Sequence, residues 1–182
     1  MRGEEQQVRK GVDKLGEASS EESYKEIMNI LHTVFKTGIV PKEALGFNNE
    51  KIEMIYSQAY RLYNTGKYRE ASYLFRLLLF LDPTEAKYAL GLAACFHMMK
   101  EFDNAVQTYT LVGVLDSNSP LPYFHVSDCY LQVGDKVSAL ISLDMAVKRS
   151  EGKAEYQILK DRALLTIESL KKEIIKVISS EE

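Results

Sequence analysis

Residues 52–85 read IEMIYSQAYRLYNTGKYREASYLFRLLLFLDPTE. The same arrangement returns without a gap in 86–119, AKYALGLAACFHMMKEFDNAVQTYTLVGVLDSNS, and in 120–153, PLPYFHVSDCYLQVGDKVSALISLDMAVKRSEGK. Gly66, Lys100 and Gly134 stand 34 residues apart, and Tyr68, Phe102 and Lys136 follow in the same register. A small residue recurs at the eighth position (Ala59, Ala93, Ser127) and at the twentieth (Ala71, Ala105, Ala139). Phe75, Tyr109 and Leu143, then Asp82 and Asp116, continue the series. A fixed period of this kind signals a repeat architecture and decides the fold of the whole chain. In the first copy, helical spacing runs from Ile52 to Asn64 and from Tyr68 to Phe80. Thr65-Gly66-Lys67 lies between, and Gly66 can take the left-handed conformation that closes a helix. Small eighth and twentieth residues let the two helices of such a hairpin approach closely.

The third copy departs from the pattern: Lys136 replaces the aromatic after the turn, and Ser150-Glu151-Gly152 replaces Asp-Pro. Terminal repeats are commonly atypical. Beyond it, Tyr156, Leu159, Ala163, Ile167, Leu170, Ile174 and Val177 share one helical stripe. That spacing predicts a capping helix over the open end of the third repeat, with Lys and Glu on a charged outer side. Upstream, Tyr24, Ile27, Met28, Leu31, Val34 and Phe35 form another amphipathic helix, ended by Gly38 and the Val40-Pro41 step. This helix cannot bury its stripe alone. Lys42 to Phe47 reads as a short turn, and Asn48 as an N-cap with Phe47 and Ile52 at the staple positions. The division expected is a disordered 1–20, a helix and linker over 21–47, repeats over 48–153, and a cap and tail over 154–182.

Composition narrows the function classes. The chain has 182 residues, 46% of them hydrophobic and 27% charged, enough to bury a core without disulfides or metals. With 23 Lys plus Arg against 26 Asp plus Glu, the net charge of −3 provides no field to gather a polyanion. No nucleic-acid partner is expected. The longest apolar run, Leu77 to Leu81, is far short of the roughly 20 residues that cross a bilayer, and the N-terminus has no apolar signal region. No direct membrane insertion is expected.

Cys95 and Cys129 form no Cys-x-x-Cys pair. They stand at equivalent positions of adjacent repeats, whose helices lie about 8–10 Å apart or more, so they are read as free packing thiols in a reducing cytosol. His32, His97 and His125 fall in no metal-binding spacing. No phosphate loop, nucleophile elbow or carboxylate pair occurs. Neither metal, cofactor nor enzymatic activity is expected.

The period, the small eighth and twentieth residues and Asp82-Pro83 resemble the tetratricopeptide repeat. The resemblance implies an all-α fold: three tandem repeats in a right-handed helical solenoid, flanked by the N-terminal amphipathic helix and the C-terminal capping helix. It further implies a concave channel lined by positions 2, 5, 9, 12 and 13 of each repeat. These are Glu53, Tyr56, Tyr60, Tyr63 and Asn64, then Lys87, Leu90, Ala94, His97 and Met98, then Leu121, Phe124, Asp128, Leu131 and Gln132. Taken as free of hairpin packing, their aromatic and apolar character suits an extended peptide with apolar anchors. Tetratricopeptide domains that capture the carboxylate tails of heat-shock chaperones resemble one another in a Lys/Asn and Lys/Arg clamp. Tyr56, Tyr60, Leu121 and His125 occupy the matching positions here, so an acidic tail is not the expected ligand.

The strings IYSQAYRLYNTGKYREASYLFRLLLFLDP, YALGLAACFHMMKEFDNAVQTYTL and PYFHVSDCYLQVGD are similar to the bacterial type III secretion chaperones of pore-forming translocators, the class II or low-calcium-response protein H group. This resemblance runs from Gly46 to about Leu170, roughly two thirds of the chain. It implies a protein of the bacterial cytoplasm that holds an extended N-terminal segment of a translocator in its groove and prevents premature association before export. By resemblance, Tyr56, Tyr60 and Tyr63 would form anchor pockets with Leu90, Ala94, Leu121 and Phe124. Homodimerisation would run through the N-terminal helix, Tyr24 to Phe35, and the first repeat. The alternative from the residues alone is a general tetratricopeptide adaptor or regulatory scaffold for another peptide partner.

Overall fold

The computed structural model describes residues 41–180, together with His32 and Lys36. The segment 1–20 and the apolar stripe of the N-terminal helix lie outside the described residues. All regular structure among the described residues is helical. It comprises α1 (Pro41–Ala44), α2 (Asn49–Asn64), α3 (Tyr68–Leu81), α4 (Ala86–Met98), α5 (Phe102–Leu115), α6 (Leu121–Gln132) and α7 (Lys136–Ser150), then a 3-10 turn (Ala154–Tyr156) and α8 (Gln157–Ser180).

The helix ends follow from local chemistry. Asn48 caps α2, its side chain accepting from the Lys51 N–H at 3.0 Å. Asp135 caps α7, accepting from the Ser138 N–H at 2.9 Å and its hydroxyl at 2.6 Å, which holds its carboxyl below the usual range. After α2, Lys67 N–H reaches Leu62 O at 2.9 Å and Gly66 N–H reaches Tyr63 O at 3.0 Å, with Gly66 at φ +78°. This is the Schellman closure, which needs a left-handed residue. Gly134 (φ +81°) closes α6 the same way. At the equivalent place in the second repeat Lys100 is left-handed at φ 61° without being glycine. Lys42 to Phe47, expected as a short turn, instead forms a helical turn closed at Gly46. Phe47 N–H bonds Lys42 O at 2.8 Å, and Pro41 is already shaped for a helix start.

The chain divides into two compact units, Met1–Met99 and Lys100–Glu182, so the division falls inside the second repeat. In the first unit α2 packs on α3, α3 on α4, and α1 against α3. Ala59 and Ala71 are fully buried, as their spacing predicts, and let α2 and α3 come close. Phe75 fills the next layer so tightly that a Cβ at Gly91 of α4 would stand only 2.3 Å from its Cε1. Asp82, 8% exposed at the end of α3, accepts from Lys42 Nζ at 2.5 Å and from Thr84 Oγ1 at 3.0 Å. The repeat-ending Asp-Pro thus anchors α1.

In the second unit α5, α6, α7 and α8 pack in succession. Ala139 and Leu143 of α7 meet Ala163 and Leu170 of α8 in one buried cluster, with Ile167 beside it, so the capping helix covers α7. Lys136, which departs from the repeat pattern, ion-pairs with Glu173 of α8 at 2.9 Å. The expected charged outer side of α8 is interrupted. Ile158, Leu165 and Ile175 are each at least 65% exposed there, because the stripe that packs on α7 leaves other apolar residues on the far side.

Cys95 and Cys129 are free and buried. Burial pushes the Cys95 thiol up to about 12 and the Cys129 thiol up to about 11, from an ordinary 9.0.

Lys100→Gly should raise stability by about 0.5–1 kcal/mol, and Gly66→Ala should lower it by about 1 kcal/mol, in urea unfolding. Gly91→Ala should cost about 1–3 kcal/mol, partly recovered by Phe75→Leu. At pH 8 a disulfide reagent should titrate neither thiol of the native chain but both in urea. Unfolded thiols release their protons near 9 while folded ones keep them, so stability should decline as pH rises above 9.0.

Candidate functional site

On α2, Glu53, Tyr56, Tyr60 and Tyr63 are spaced by three and four residues and share one face. The Tyr56 and Tyr60 rings stack at 6.4 Å between centroids, 25° apart. Tyr56 is half-buried because its ring also meets Phe75 at 6.1 Å and Tyr88 at 5.7 Å, whereas Tyr60 is 54% exposed. Lys87 of α4 extends over this floor, its ammonium 4.9 Å from the Tyr56 centroid and 5.3 Å from that of Tyr88. Glu53 lies 3.8 Å from the same ammonium. Tyr63 turns instead to Tyr68 of α3, edge-on at 5.4 Å. Asn64 and Met98 are exposed, and Leu90, Ala94 and His97 are half-buried along α4.

Burial is the main cause that raises the hydroxyls of Tyr56 and Tyr63 above 10.0, and it pushes Tyr88 up to about 12. These groups therefore remain neutral donors through the physiological range. A donor on an aromatic ring suits a partner that offers both apolar side chains and carbonyl oxygens.

In the second unit, Leu121, Phe124 and Asp128 are half-buried on one face of α6. Phe124 and Leu131 pack against the buried cluster of Ala139, Leu143, Ala163 and Leu170. The expectation that these positions stay free of hairpin packing therefore fails for Tyr56, Phe124 and Leu131. A large ring beside a small-residue seam touches the neighbouring helix with one edge and leaves the other exposed. His125, set against the clamp position above, stacks on Tyr109 of α5 at 5.1 Å and 16°. Tyr88, which the spacing rule passes over, forms part of the aromatic floor although it is only 3% exposed. No sequence signal marked it, since it joins through a contact with Tyr56 on another helix.

An open depression of about 600 Å³ runs along α2 next to this face, lined by Glu50, Glu53, Met54, Ser57, Gln58 and Arg61. Most of its wall is apolar, formed by Met54 and the aliphatic stems of its polar residues. Among the described residues, no three His, Cys, Asp or Glu side chains gather as a metal site, and no helix is long and apolar enough to cross a membrane. The residues named for dimerisation, Tyr24, Ile27, Met28, Leu31, Val34 and Phe35, lie outside the described residues.

Comparison with known proteins shows the family of the chain. The tetratricopeptide repeat family matches residues 52–84 and 87–118, each within one residue of a 34-residue unit at its start and end. The low calcium response locus protein H of Yersinia pestis is 32% identical over 124 residues, 68% of this chain and 74% of that protein. The type III secretion translocator chaperone SycD of Yersinia enterocolitica superposes with a TM-score of 0.68 at 30% identity, over 72% of this chain and 98% of SycD. PcrH, solved in complex with the chaperone-binding region of PopD, gives a TM-score of 0.68 at 29% identity, over 70% of this chain and 96% of PcrH. A repeat hairpin with an aromatic first-helix face and an overlapping sequence match of this length have one common reading: the chain belongs to the class II type III secretion translocator chaperones of the low calcium response protein H type, a tetratricopeptide-repeat family.

Proposed function

We propose that this chain is a chaperone of the bacterial cytoplasm that holds an extended, apolar N-terminal segment of a translocator and keeps it from associating before export. The observation that carries this reading is the Tyr56–Tyr60 surface, aromatic and partly exposed on a helix already stabilised by its other face. Isolated exposed tyrosines need no explanation, but stacked rings in continuity with a buried aromatic core offer a preformed seat for an apolar side chain. PcrH carries the chaperone-binding region of PopD in its complex, which supports an equivalent ligand here. Translocators expose apolar segments meant for a membrane, and unshielded segments of that kind aggregate. Nothing need be hydrolysed: binding alone removes the apolar surface from water.

In this reading Tyr56, Tyr60, Tyr63, Asn64, Lys87, Leu90, Ala94, His97 and Met98 contact one stretch of the segment, and Leu121, Phe124 and Asp128 another. Residues 48–153 are the binding body and 154–182 the cap. The stretch 21–47 carries a homodimer contact through Tyr24 to Phe35. SycD has been solved in an alternative dimer, which supports self-association for this chain.

Co-expression tests the proposal. A cognate translocator should remain soluble and co-purify with this chain, and should precipitate without it. Tyr60→Ala combined with Leu90→Asp should abolish co-purification while circular dichroism shows unchanged helix. Equal solubility of the translocator with and without this chain would refute the chaperone role.

A further inference from the structure

Glu53 and Lys87 come from the first helices of adjacent repeats and meet above the aromatic floor. The Lys87 ammonium is placed by two ring faces, Tyr56 at 4.9 Å and Tyr88 at 5.3 Å. Tyr88 is 3% exposed and fixed in the core, so one wall of this seat is rigid. The Glu53 carboxylate stands 3.8 Å from the ammonium, too far for a hydrogen bond. Neither group is saturated by the other, and both side chains stay open to solvent, at 61% and 41% exposure. The result is an acceptor and a donor side by side, next to a floor that accepts an apolar side chain.

That spacing has a natural counterpart. In an extended chain the N–H and C=O of one residue point to the same edge, which is how antiparallel strands exchange two bonds per residue pair. Side chains stand alternately on the two faces, so one beside the clamped residue can fall on the Tyr56–Tyr60 floor. The charges also select. A bound carboxylate would meet Glu53, a bound ammonium would meet Lys87, and a neutral peptide unit satisfies both.

We propose that Glu53 and Lys87 form a main-chain clamp in which Lys87 donates to the C=O, and Glu53 accepts from the N–H, of one extended residue beside an apolar anchor. The clamp deepens the proposed chaperone function and rests on it. It makes the strand conformation of the bound segment, rather than its charge, a determinant of recognition, and so tolerates different sequences around the anchor.

The test uses the full chain and a fluorescein-labelled peptide of the PopD chaperone-binding region, read by fluorescence anisotropy. A series of peptides replaces one backbone amide at a time by an ester, which removes one N–H and weakens one carbonyl acceptor. The native chain should bind the parent peptide, and one ester position should weaken binding about ten-fold. Lys87→Met and Glu53→Ala should each weaken the parent peptide by a similar factor, and in Glu53→Ala that ester should have little further effect. Lys87→Arg and Glu53→Gln, which keep a donor and an acceptor, should stay within about three-fold of the native chain. Circular dichroism should show all four variants folded. Unchanged binding in Lys87→Met and Glu53→Ala, or an ester effect that persists undiminished in Glu53→Ala, overturns the clamp and leaves the chaperone reading standing. Failure of the folded native chain to bind the parent peptide overturns the clamp, and the co-expression assay above then decides the chaperone reading by itself.

Discussion

Close approach of helices at small residues is the constraint on which the remaining structure depends. Ala59, Ala71, Ala93, Ala105 and Ala139 are all fully buried, and Ser127 is 2% exposed. Each lets a neighbouring backbone come near enough for larger side chains alongside to interdigitate. Gly91 extends the rule by taking the ring of Phe75 where any Cβ would intrude. Phe75 in turn presents its ring to Tyr56, so the depth of this seam sets how far the Tyr56–Tyr60 pair stands out from the hairpin. The exposed tyrosine pair and the core are thus one continuous aromatic assembly within the first unit.

This continuity explains the economy of the site. An exposed tyrosine on a surface helix would rotate freely, losing entropy when a ligand ordered it. Tyr56 is already held by Phe75, Tyr88 and Lys87, so under the proposed function a segment seated there would lose less on ordering it. The electrostatics are local for the same reason. A net charge of −3 spread over 182 residues provides no steering field, while one ammonium and one carboxylate 3.8 Å apart act only on what touches them.

The flanking elements solve the end problem of a repeat array. The first hairpin receives α1, pinned by Lys42 to the buried Asp82. The third receives α8, whose Ala163 and Leu170 complete the cluster begun by Ala139 and Leu143. Lys136 shows how a terminal repeat departs from its consensus: where Tyr68 of the first repeat packs on Tyr63 of its own hairpin, the lysine reaches Glu173 on the cap.

The 34-residue period determined the hairpins, their turns and their buried small residues, because helix spacing, glycine turns and alanine seams are local properties written at fixed intervals. Gly66 was legible as a left-handed closure for that reason, and Asn48 as a cap. The list of first-helix positions likewise named Tyr56, Tyr60 and Lys87. Which of those residues would share a surface was not legible. That Tyr63 turns to Tyr68, that Phe124 and Leu131 lean on the capped cluster, and that Tyr88 joins the floor depend on contacts between different helices. The same holds for the left-handed Lys100, where the repeat register imposed a backbone that its own residue type disfavours. Tertiary packing alone decided these points, since a side chain's direction is set by the helix facing it, and periodicity carries no record of that neighbour's size.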